Sequence, residues 1–363
     1  MHRSFMPKTI LQIAICAALA AAGVFGQVKP AGEFDVAKCW TFTIGDEPGR
    51  AIATDGTLVY LGTGGAKVAA LSLTGKQLWS TELGGEISSN ILTSDNGLEL
   101  VTTTATGTGG SLLRSLSKET GITIWAVKLP DAERHFLGSN DGSIIAVSGS
   151  GTVQAIDAKD GAVRWKRDIA KGFTGEPAFA NGHVYVASAG KQIFGISLVS
   201  GEIDSMHKTA FGVTALGQST DGDVIVGDER GNVISLHNGN DKPNWKFKSG
   251  GEISSIRGLD GHLLVTSHDN FVYYLSNERG NVVWKKRRSA RVLQLGTVLD
   301  QYAVISSFEE HGAVLADLEK GKVAGRIVFA DDESLAAGPA TSGGGIFVLT
   351  NAAAYGYSIS GCK

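Results

Sequence analysis

The sequence predicts an all-β fold, an eight-bladed β-propeller in which every blade is a four-stranded antiparallel sheet. Three observations lead to this prediction. A phrase of apolar strand, turn, Gly and Trp recurs along the chain. The 363 residues include 49 Gly and only 7 Pro. The last repeat lacks its Trp strand, and the first repeat consists of a Trp strand alone. Gly turns between short β-forming runs, repeated about every 40 residues, are typical of propellers.

Each repeat ends on one recurring position, which is Trp in six copies. The series is Trp40, Trp79, Trp125, Trp165, Ser205, Trp245, Trp284 and Gly325, at intervals of 39–46 residues. A strand opened by a Gly turn, as in "GHVYVASAG" (182–190), and a weaker apolar run, as in "EISSNILT" (86–93), complete four strands per repeat. A single sheet cannot bury both of its faces, so neighbouring repeats must pack on one another. We therefore expect the six Trp to be packing anchors between blades.

The two ends of the chain each supply part of one repeat. The segment "AKCWTFTIG" (37–45) has a Trp strand with no inner strands before it, whereas residues 326–361 have inner strands with no Trp strand after them. Pairing residues 36–42 with the C-terminal strands gives seven continuous blades and one composite blade. The sequence therefore predicts a ring closed by pairing of the N-terminal strand with the C-terminal blade.

Two cysteines stand where this closure brings the ends together. Cys39 directly precedes Trp40, and Cys362 directly follows Gly361. Facing strands would bring their Cα atoms near the ~5.5 Å that a disulfide prefers. Such a bond would stabilise the fold by about 4–5 kcal/mol in the chain-entropy model. The alternative is a pair of unpaired thiols at the chain ends.

The N-terminus has the pattern of an export signal. Arg3 and Lys8 precede an apolar stretch, "ILQIAICAALAAA" (10–22), which is short for a bilayer span. We expect a signal peptide over 1–26, a linker over 27–33 and the propeller over 34–363. The mature protein would be periplasmic or secreted, without a transmembrane span. An uncleaved anchor is the alternative, and lipidation at Cys16 is disfavoured because Ile15 precedes it.

The phrase A-x-D-x-x-x-G-x-x-x-W carries a family resemblance. It is clearest in "AIDAKDGAVRW" (155–165) and weaker in "SLSKETGITIW" (115–125), and the chain resembles the PQQ-like repeat propellers over 34–363. That family includes quinoprotein dehydrogenases and binding propellers such as the BamB-type outer-membrane assembly subunits. The resemblance implies a non-catalytic, protein-binding scaffold in the bacterial cell envelope, working as a monomeric subunit and associated with the outer membrane.

Two other functions remain open. One is a small quinoprotein dehydrogenase that binds PQQ, and the other is a secreted carbohydrate-binding propeller. The quinoprotein enzymes use adjacent cysteines, which this chain lacks. The sequence also has no HExxH, CxxC, P-loop or G-x-S-x-G pattern. We therefore assign no catalytic, metal-binding or cofactor-binding residue and expect no cofactor.

One local charge run suggests a docking patch. It follows Trp284 in "WKKRRSARV" and consists of Lys285, Lys286, Arg287, Arg288 and Arg291. The net charge of the chain is −3, so this run is a local asymmetry, and no general attraction to nucleic acid is expected. We expect the run to lie in the link to the next blade, where two functions are open: an ordinary solvated loop, or a docking patch for an acidic partner or anionic headgroups.

Overall fold

The computed structural model describes residues 33–362 apart from 46, 104–109, 130–133, 170–171, 238–241, 289–291 and 308–310. Throughout these described ranges the regular secondary structure is β, with 32 strands in eight four-stranded sheets. The predicted fold class is therefore confirmed. The predicted signal peptide (1–26), and the predicted linker (27–33) except for its last residue, lie outside the described residues.

The strands follow one another in blocks of four after a single first strand. The chain begins with β1 (Ala37–Thr43). Blades 1 and 2 contain β2 (Gly49–Thr54), β3 (Leu58–Thr63), β4 (Lys67–Ser72), β5 (Gln77–Glu82), and β6 (Leu92–Thr93), β7 (Leu98–Thr103), β8 (Ser111–Leu116), β9 (Thr123–Leu129). Blades 3 and 4 contain β10 (His135–Asn140), β11 (Ser143–Ser148), β12 (Thr152–Asp157), β13 (Val163–Asp168), and β14 (Phe173–Ala180), β15 (His183–Ser188), β16 (Gln192–Ser197), β17 (Ile203–Lys208).

The second half of the ring repeats this order. Blades 5 and 6 contain β18 (Val213–Gln218), β19 (Val224–Asp228), β20 (Asn232–Leu236), β21 (Trp245–Lys248), and β22 (Ile253–Leu259), β23 (His262–Ser267), β24 (Phe271–Ser276), β25 (Val282–Arg287). Blade 7 contains β26 (Val292–Leu299), β27 (Tyr302–Ser307), β28 (Gly312–Asp317) and β29 (Val323–Val328). The last three strands are β30 (Leu335–Ser342), β31 (Gly345–Thr350) and β32 (Ala353–Ser358).

Blade 8 is the composite blade that closes the ring. Its strand order is β1-β32-β31-β30, and β1 runs antiparallel to β32 from Ala37 opposite Ser358 to Thr43 opposite Ala353. The predicted closure is confirmed, with a shift of bounds. The inner strands of blade 8 begin at Leu335 and not near residue 326, because β29 of blade 7 extends through Val328.

The core lies between blades, and both faces of each sheet contribute to it. Blade 3 packs Ile145, Val147 and Val153 against Val184 and Ile196 of blade 4. A middle strand such as β11 is buried at all six positions because it has a neighbour on each face. This double burial explains why the middle strands read as continuous apolar runs in the sequence.

Blade 2 departs from the regular pattern at its innermost strand. The run "EISSNILT" (86–93) predicts a full strand, but β6 is only two residues long. The Asn90 side chain connects this segment to blade 3: its amide accepts from the Leu137 backbone N–H at 2.8 Å and donates to the Leu137 carbonyl at 3.0 Å. The His135 N–H donates to the Ser88 carbonyl beside it, so blades 2 and 3 are linked here by both side-chain and backbone hydrogen bonds.

Blade 2 also buries a carboxyl group. Glu99 has no exposed surface, and its Oε1 accepts hydrogen bonds from Ser94 and Ser115, each at 3.0 Å. Its Oε2 is buried without a hydrogen-bond partner in the described part of the chain. Burial raises the pKa of Glu99 above the ordinary 4.5, while the two hydroxyls and the charge of Lys118 oppose this shift.

Replacing Glu99 with Gln should stabilise the protein at neutral pH. The folded-state pKa is above the unfolded value, so the contribution of the protonated carboxyl is complete below pH 4.5 and is lost as pH rises through the folded pKa. We expect Glu99→Gln to raise the free energy of unfolding by about 1 kcal/mol at pH 7 and to leave it unchanged near pH 4. Urea denaturation at both pH values measures this. Glu82→Gln, at an exposed carboxyl, is the control and should have no effect at either pH.

Candidate functional site

The six Trp occupy the same place in their blades. Each lies on the outermost strand, and its indole Nε1 donates a hydrogen bond to a backbone carbonyl in the turn between the two outer strands of the next blade. The pairs are Trp40 to Leu73 (2.9 Å), Trp79 to Lys118 (2.7 Å), Trp125 to Ala158 (3.0 Å), Trp165 to Leu198 (3.1 Å), Trp245 to Asn277 (2.6 Å) and Trp284 to Leu318 (2.7 Å). The indoles thus connect consecutive blades, including blade 8 to blade 1.

The Gly of each repeat phrase receives the indole of the preceding blade. At Gly121, with φ of +72°, an added Cβ would lie 2.4 Å from the ring of Trp79. Only Gly combines this left-handed backbone with so close an approach. The Trp and the Gly that recur in the sequence are therefore two halves of one contact, made between neighbouring repeats.

Two blades lack the Trp of the repeat, and in one of them another side chain of the protein takes the place of the indole. At Gly325 of blade 7, an added Cβ would lie 3.0 Å from the ring of Phe34 and 2.8 Å from Val36. The Phe34 N–H donates to the carbonyl of Ala324 at 2.7 Å, and its ring meets Tyr302 edge-on at 5.2 Å. Sequence reasoning missed this role because Phe34 precedes the first repeat.

Cys39 and Cys362 form a disulfide with a Cα–Cα distance of 5.2 Å. Cys39 lies at a β-bulge of β1, between Lys38 and Trp40. Cys362 was expected on a facing strand but lies beyond the end of β32, in the segment that follows Ser358. The bulge is the point where the edge strand can turn a side chain toward that segment.

The predicted docking patch is partly misplaced. Lys285, Lys286 and Arg287 were expected in the link after blade 6, but they belong to the outermost strand β25, which continues three residues past Trp284. Alternation separates their side chains: Lys286 shares the Trp284 face and packs near Gly321 of blade 7, while Lys285 and Arg287 lie on the other face.

The remaining members of the patch follow the strand. Arg288 comes directly after β25, and its N–H donates to the carbonyl of Asn270 at 2.7 Å. Arg291 lies outside the described residues. Lys285 lies over the ring of Phe271, with its Nζ 5.4 Å from the ring centroid. Two exposed cations, Lys285 and Arg287, therefore remain as the solvent-facing part of the patch.

These two cations belong to a larger feature that we call the basic belt, the outermost strands of blades 3 to 6. The belt carries nine basic and two acidic residues, whereas the outermost strands of the other four blades carry three basic and one acidic. The basic residues are Arg164, Lys166, Arg167, Lys208, Lys246, Lys248, Lys285, Lys286 and Arg287. Sequence reasoning saw only the contiguous run, because the other members are about 40 residues apart.

The central channel of the ring is where a ligand of either alternative function, PQQ or a carbohydrate, would bind. A cavity of about 270 Å³ is bounded by the innermost strands of several blades and is lined by Arg50, Arg134, Glu176, Phe136 and Phe179 among others. The Arg134 guanidinium lies over the ring of Phe136 at 5.0 Å. Phe179 packs closely against the backbone at residue 138. Both rings, the aromatic groups on which a sugar could stack, are therefore engaged in the channel wall.

The charges of the channel are mainly positive. Arg257, on the innermost strand of blade 6, is desolvated by the surrounding protein, which lowers its pKa, and the charge of Glu176 opposes this shift. Among the described residues, no three His, Cys, Asp or Glu side chains are grouped to hold a metal ion. Both cysteines of the propeller are committed to the disulfide. The two cysteines therefore do not form the adjacent pair that quinoprotein enzymes use beside their PQQ and Ca²⁺.

The closed ring of eight blades, with its Trp–Gly contacts and composite closing blade, defines a PQQ-like repeat propeller. The profile of the family described as "Outer membrane protein assembly factor BamB" matches residues 32–125, 108–210 and 200–332. The chain belongs to this family. In the part of the chain that the structure describes, no helix is long and apolar enough to span a bilayer.

Individual relatives are distant. The chain is 23% identical over 286 residues to the outer membrane protein assembly factor BamB of Yersinia pestis, covering 71% of this chain and 72% of that protein. BamB of Moraxella catarrhalis has a TM-score of 0.66 at 13% identity, covering 89% of this chain and 97% of that structure. The C-terminal WD40 domain of Sif2 has a TM-score of 0.76 at 12% identity, covering 91% and 99%. The two solved structures support the fold alone.

Proposed function

We propose that this protein is an exported, non-catalytic scaffold that binds protein partners at the outer membrane of a bacterial envelope. The observation that carries the proposal is the family match, which extends across blades 1 to 7. The name of the relative from Yersinia pestis points in the same direction. The signal peptide (1–26), the linker (27–33), the periplasmic or outer-membrane location, the monomeric state and the absence of a cofactor are parts of this proposal.

The basic belt is the surface we assign to partner docking. An outermost strand has an unpaired edge, so a partner strand can add to it, and cations beside the edge favour an acidic partner. Apolar side chains are exposed next to these cations, among them Ile203, Met206 and Val283. The belt therefore combines an unpaired strand edge, positive charge and apolar contact area.

Reversing the two solvent-facing charges of blade 6 should weaken partner capture. The test places a photo-crosslinking residue at Val283 and compares intact cells carrying the wild-type belt with cells carrying Lys285→Glu and Arg287→Glu. We expect capture of envelope proteins to fall about tenfold, because the electrostatic attraction becomes repulsion. The matched control, Lys320→Glu and Lys322→Glu, makes the same charge change at exposed positions on blade 7.

Two results would contradict the proposal. One is equal capture by both charge-reversed proteins and the wild type, which would show that the basic belt does not dock the partners. The other is a stoichiometric, chromophoric complex when PQQ and Ca²⁺ are added to the purified protein, which would favour the quinoprotein alternative.

A further inference from the structure

A cavity of about 740 Å³ opens between the outer parts of blades 4 and 5. This volume is in the range of roughly 300–1,000 Å³ that is usual for ligand-binding pockets. Its walls are mainly apolar. They include Met206 and Phe211 from blade 4 and the linker after it, and Val226, Ile234, Leu236 and Pro243 from blade 5.

The cavity lies beside the place where the interblade Trp contact is missing. Blade 4 has Ser205 at the Trp position, and its Oγ is buried without a hydrogen-bond partner in the described ranges. The receiving position is also changed. The other continuous blades have Gly four residues before the Trp position, at 75, 121, 161, 201, 280 and 321, whereas blade 5 has Asp241, which lies outside the described residues. Both halves of the contact are therefore absent from the sequence at this one junction.

Blade 7, the other blade without a Trp, shows which kind of group can take the place of the indole. At Gly325 the occupant is Phe34, an aromatic side chain on an extended segment that hydrogen-bonds through its backbone to the outermost strand. The sequence of that segment is "GEFDV" (32–36), with a carboxylate on each side of the aromatic residue. The chain thus contains one example of an aromatic, acidic segment bound beside an outermost strand.

The rim of the cavity carries matching charge. Lys208 and Lys246 both line it, and neither has an ion-pair partner in the described part of the chain. Asp228 also lines it, but its carboxylate is bound to the Asn232 side chain at 2.6 Å and to nearby backbone N–H groups. The two lysines are therefore the rim charges available to a ligand.

We propose that this cavity binds an aromatic side chain from an extended, acidic segment of a partner protein. The segment would lie along the edge of β17, insert its aromatic ring against Ile234 and Leu236, and place flanking carboxylates near Lys208 and Lys246. A buried aromatic anchor surrounded by weaker polar contacts is typical of a binding hot spot. The inference rests on the proposed function, because it names the chemistry of the partner segment and one place on the basic belt.

The test selects a displayed library of random twelve-residue peptides against the folded wild-type protein. Soluble Ile234→Trp protein is added in excess as a competitor, so that peptides which bind elsewhere on the propeller are removed. Its indole would fill the cavity from the blade 5 wall. Ser205→Trp fills the cavity from the blade 4 side. Blade 1 shows that a Trp at this repeat position can pack beside a Tyr of its own blade, because the ring centroids of Trp79 and Tyr60 lie 6.3 Å apart. Val328→Trp, which adds an indole to an exposed outer-strand position on blade 7, is the matched control. Circular dichroism confirms the fold of each variant.

We expect the selected peptides to carry Trp, Tyr or Phe next to Asp or Glu. Fluorescence polarisation should show binding weakened about tenfold, or about 1.4 kcal/mol, by whichever cavity-filling variant folds. Lys208→Ser with Lys246→Ser should weaken it severalfold, and Val328→Trp should leave it unchanged. Peptides without an aromatic residue, or equal binding to the filled proteins, would overturn the inference.

Two further outcomes separate this inference from the proposed function. If N-acetyl-tryptophanamide binds as tightly as the peptides, the cavity is a site for a small aromatic molecule and the polypeptide proposal is wrong. If peptide binding is lost in the filled variants but envelope crosslinking through blade 6 is unchanged, the cavity inference stands and the crosslinked partner uses another part of the belt. If the wild-type protein captures no envelope protein through Val283 but binds the peptides as expected, the result counts against the proposed function only.

Discussion

Replacing Trp125 with Ala is expected to lower the free energy of unfolding by about 3–5 kcal/mol. The side chain is 9% exposed, its Nε1 donates to the Ala158 carbonyl at 3.0 Å, and its ring lies against Gly161 of the next blade. The change therefore removes a large apolar contact and leaves a carbonyl without its donor. Urea denaturation followed by circular dichroism measures the loss.

The neighbouring Ile124 gives a matched control on the same strand. It is 52% exposed, so Ile124→Ala should change the free energy of unfolding by less than about 0.5 kcal/mol. If Trp125→Ala costs no more than Ile124→Ala, the Trp positions do not hold the blades together. The regular spacing of the Trp would then need another explanation.

Removing the disulfide with Cys39→Ser and Cys362→Ser is expected to lower the free energy of unfolding by about 4 kcal/mol. The bond joins residues 323 apart in sequence, so its main effect is to restrict the unfolded chain. The β1–β32 pairing does not depend on the sulfur atoms, and we expect the ring to remain closed in the double variant. The urea midpoint, measured under non-reducing conditions, reports the change.

Reduction provides an independent check on the same bond. Dithiothreitol should bring the wild-type midpoint to that of the double variant and should leave the double variant unchanged. A wild-type midpoint that does not respond to reduction, with both thiols shown to be free, would mean that the disulfide contributes nothing to stability.

The fold could be predicted from the sequence because its repeat records a physical contact. Trp and Gly recur at fixed spacing, since each pair is one indole lying on one turn of the next blade. The same logic located the closing blade, because Trp40 had no inner strands and Tyr357 had no outer one. The bounds of the strands could be predicted less closely. The inner strands of blade 8 were expected from residue 326 but begin at Leu335.

Most of the candidate site could not be predicted in this way. The basic belt consists of residues about 40 positions apart, which only the ring places on neighbouring strands. The cavity lies beside Ser205, where a small side chain stands in place of the Trp, whereas at Gly325 Phe34, from outside the repeats, takes the place of the Trp. The position of Lys285 to Arg287 was wrong because the sequence offers no turn signal to show that β25 continues past Trp284.

Amide hydrogen exchange of β32 tests the central claim, that the N-terminal strand completes the last blade. In β32, between Ala353 and Ser358, the hydrogen-bonded amides of an inner strand point alternately toward its two neighbours. If β1 is in place, amides on both sides of β32 exchange slowly, and so do those amides of Trp40 to Thr43 that point toward β32. Fast exchange on the β1 side of β32, with slow exchange on the β31 side, would show an open last blade and contradict the closed ring.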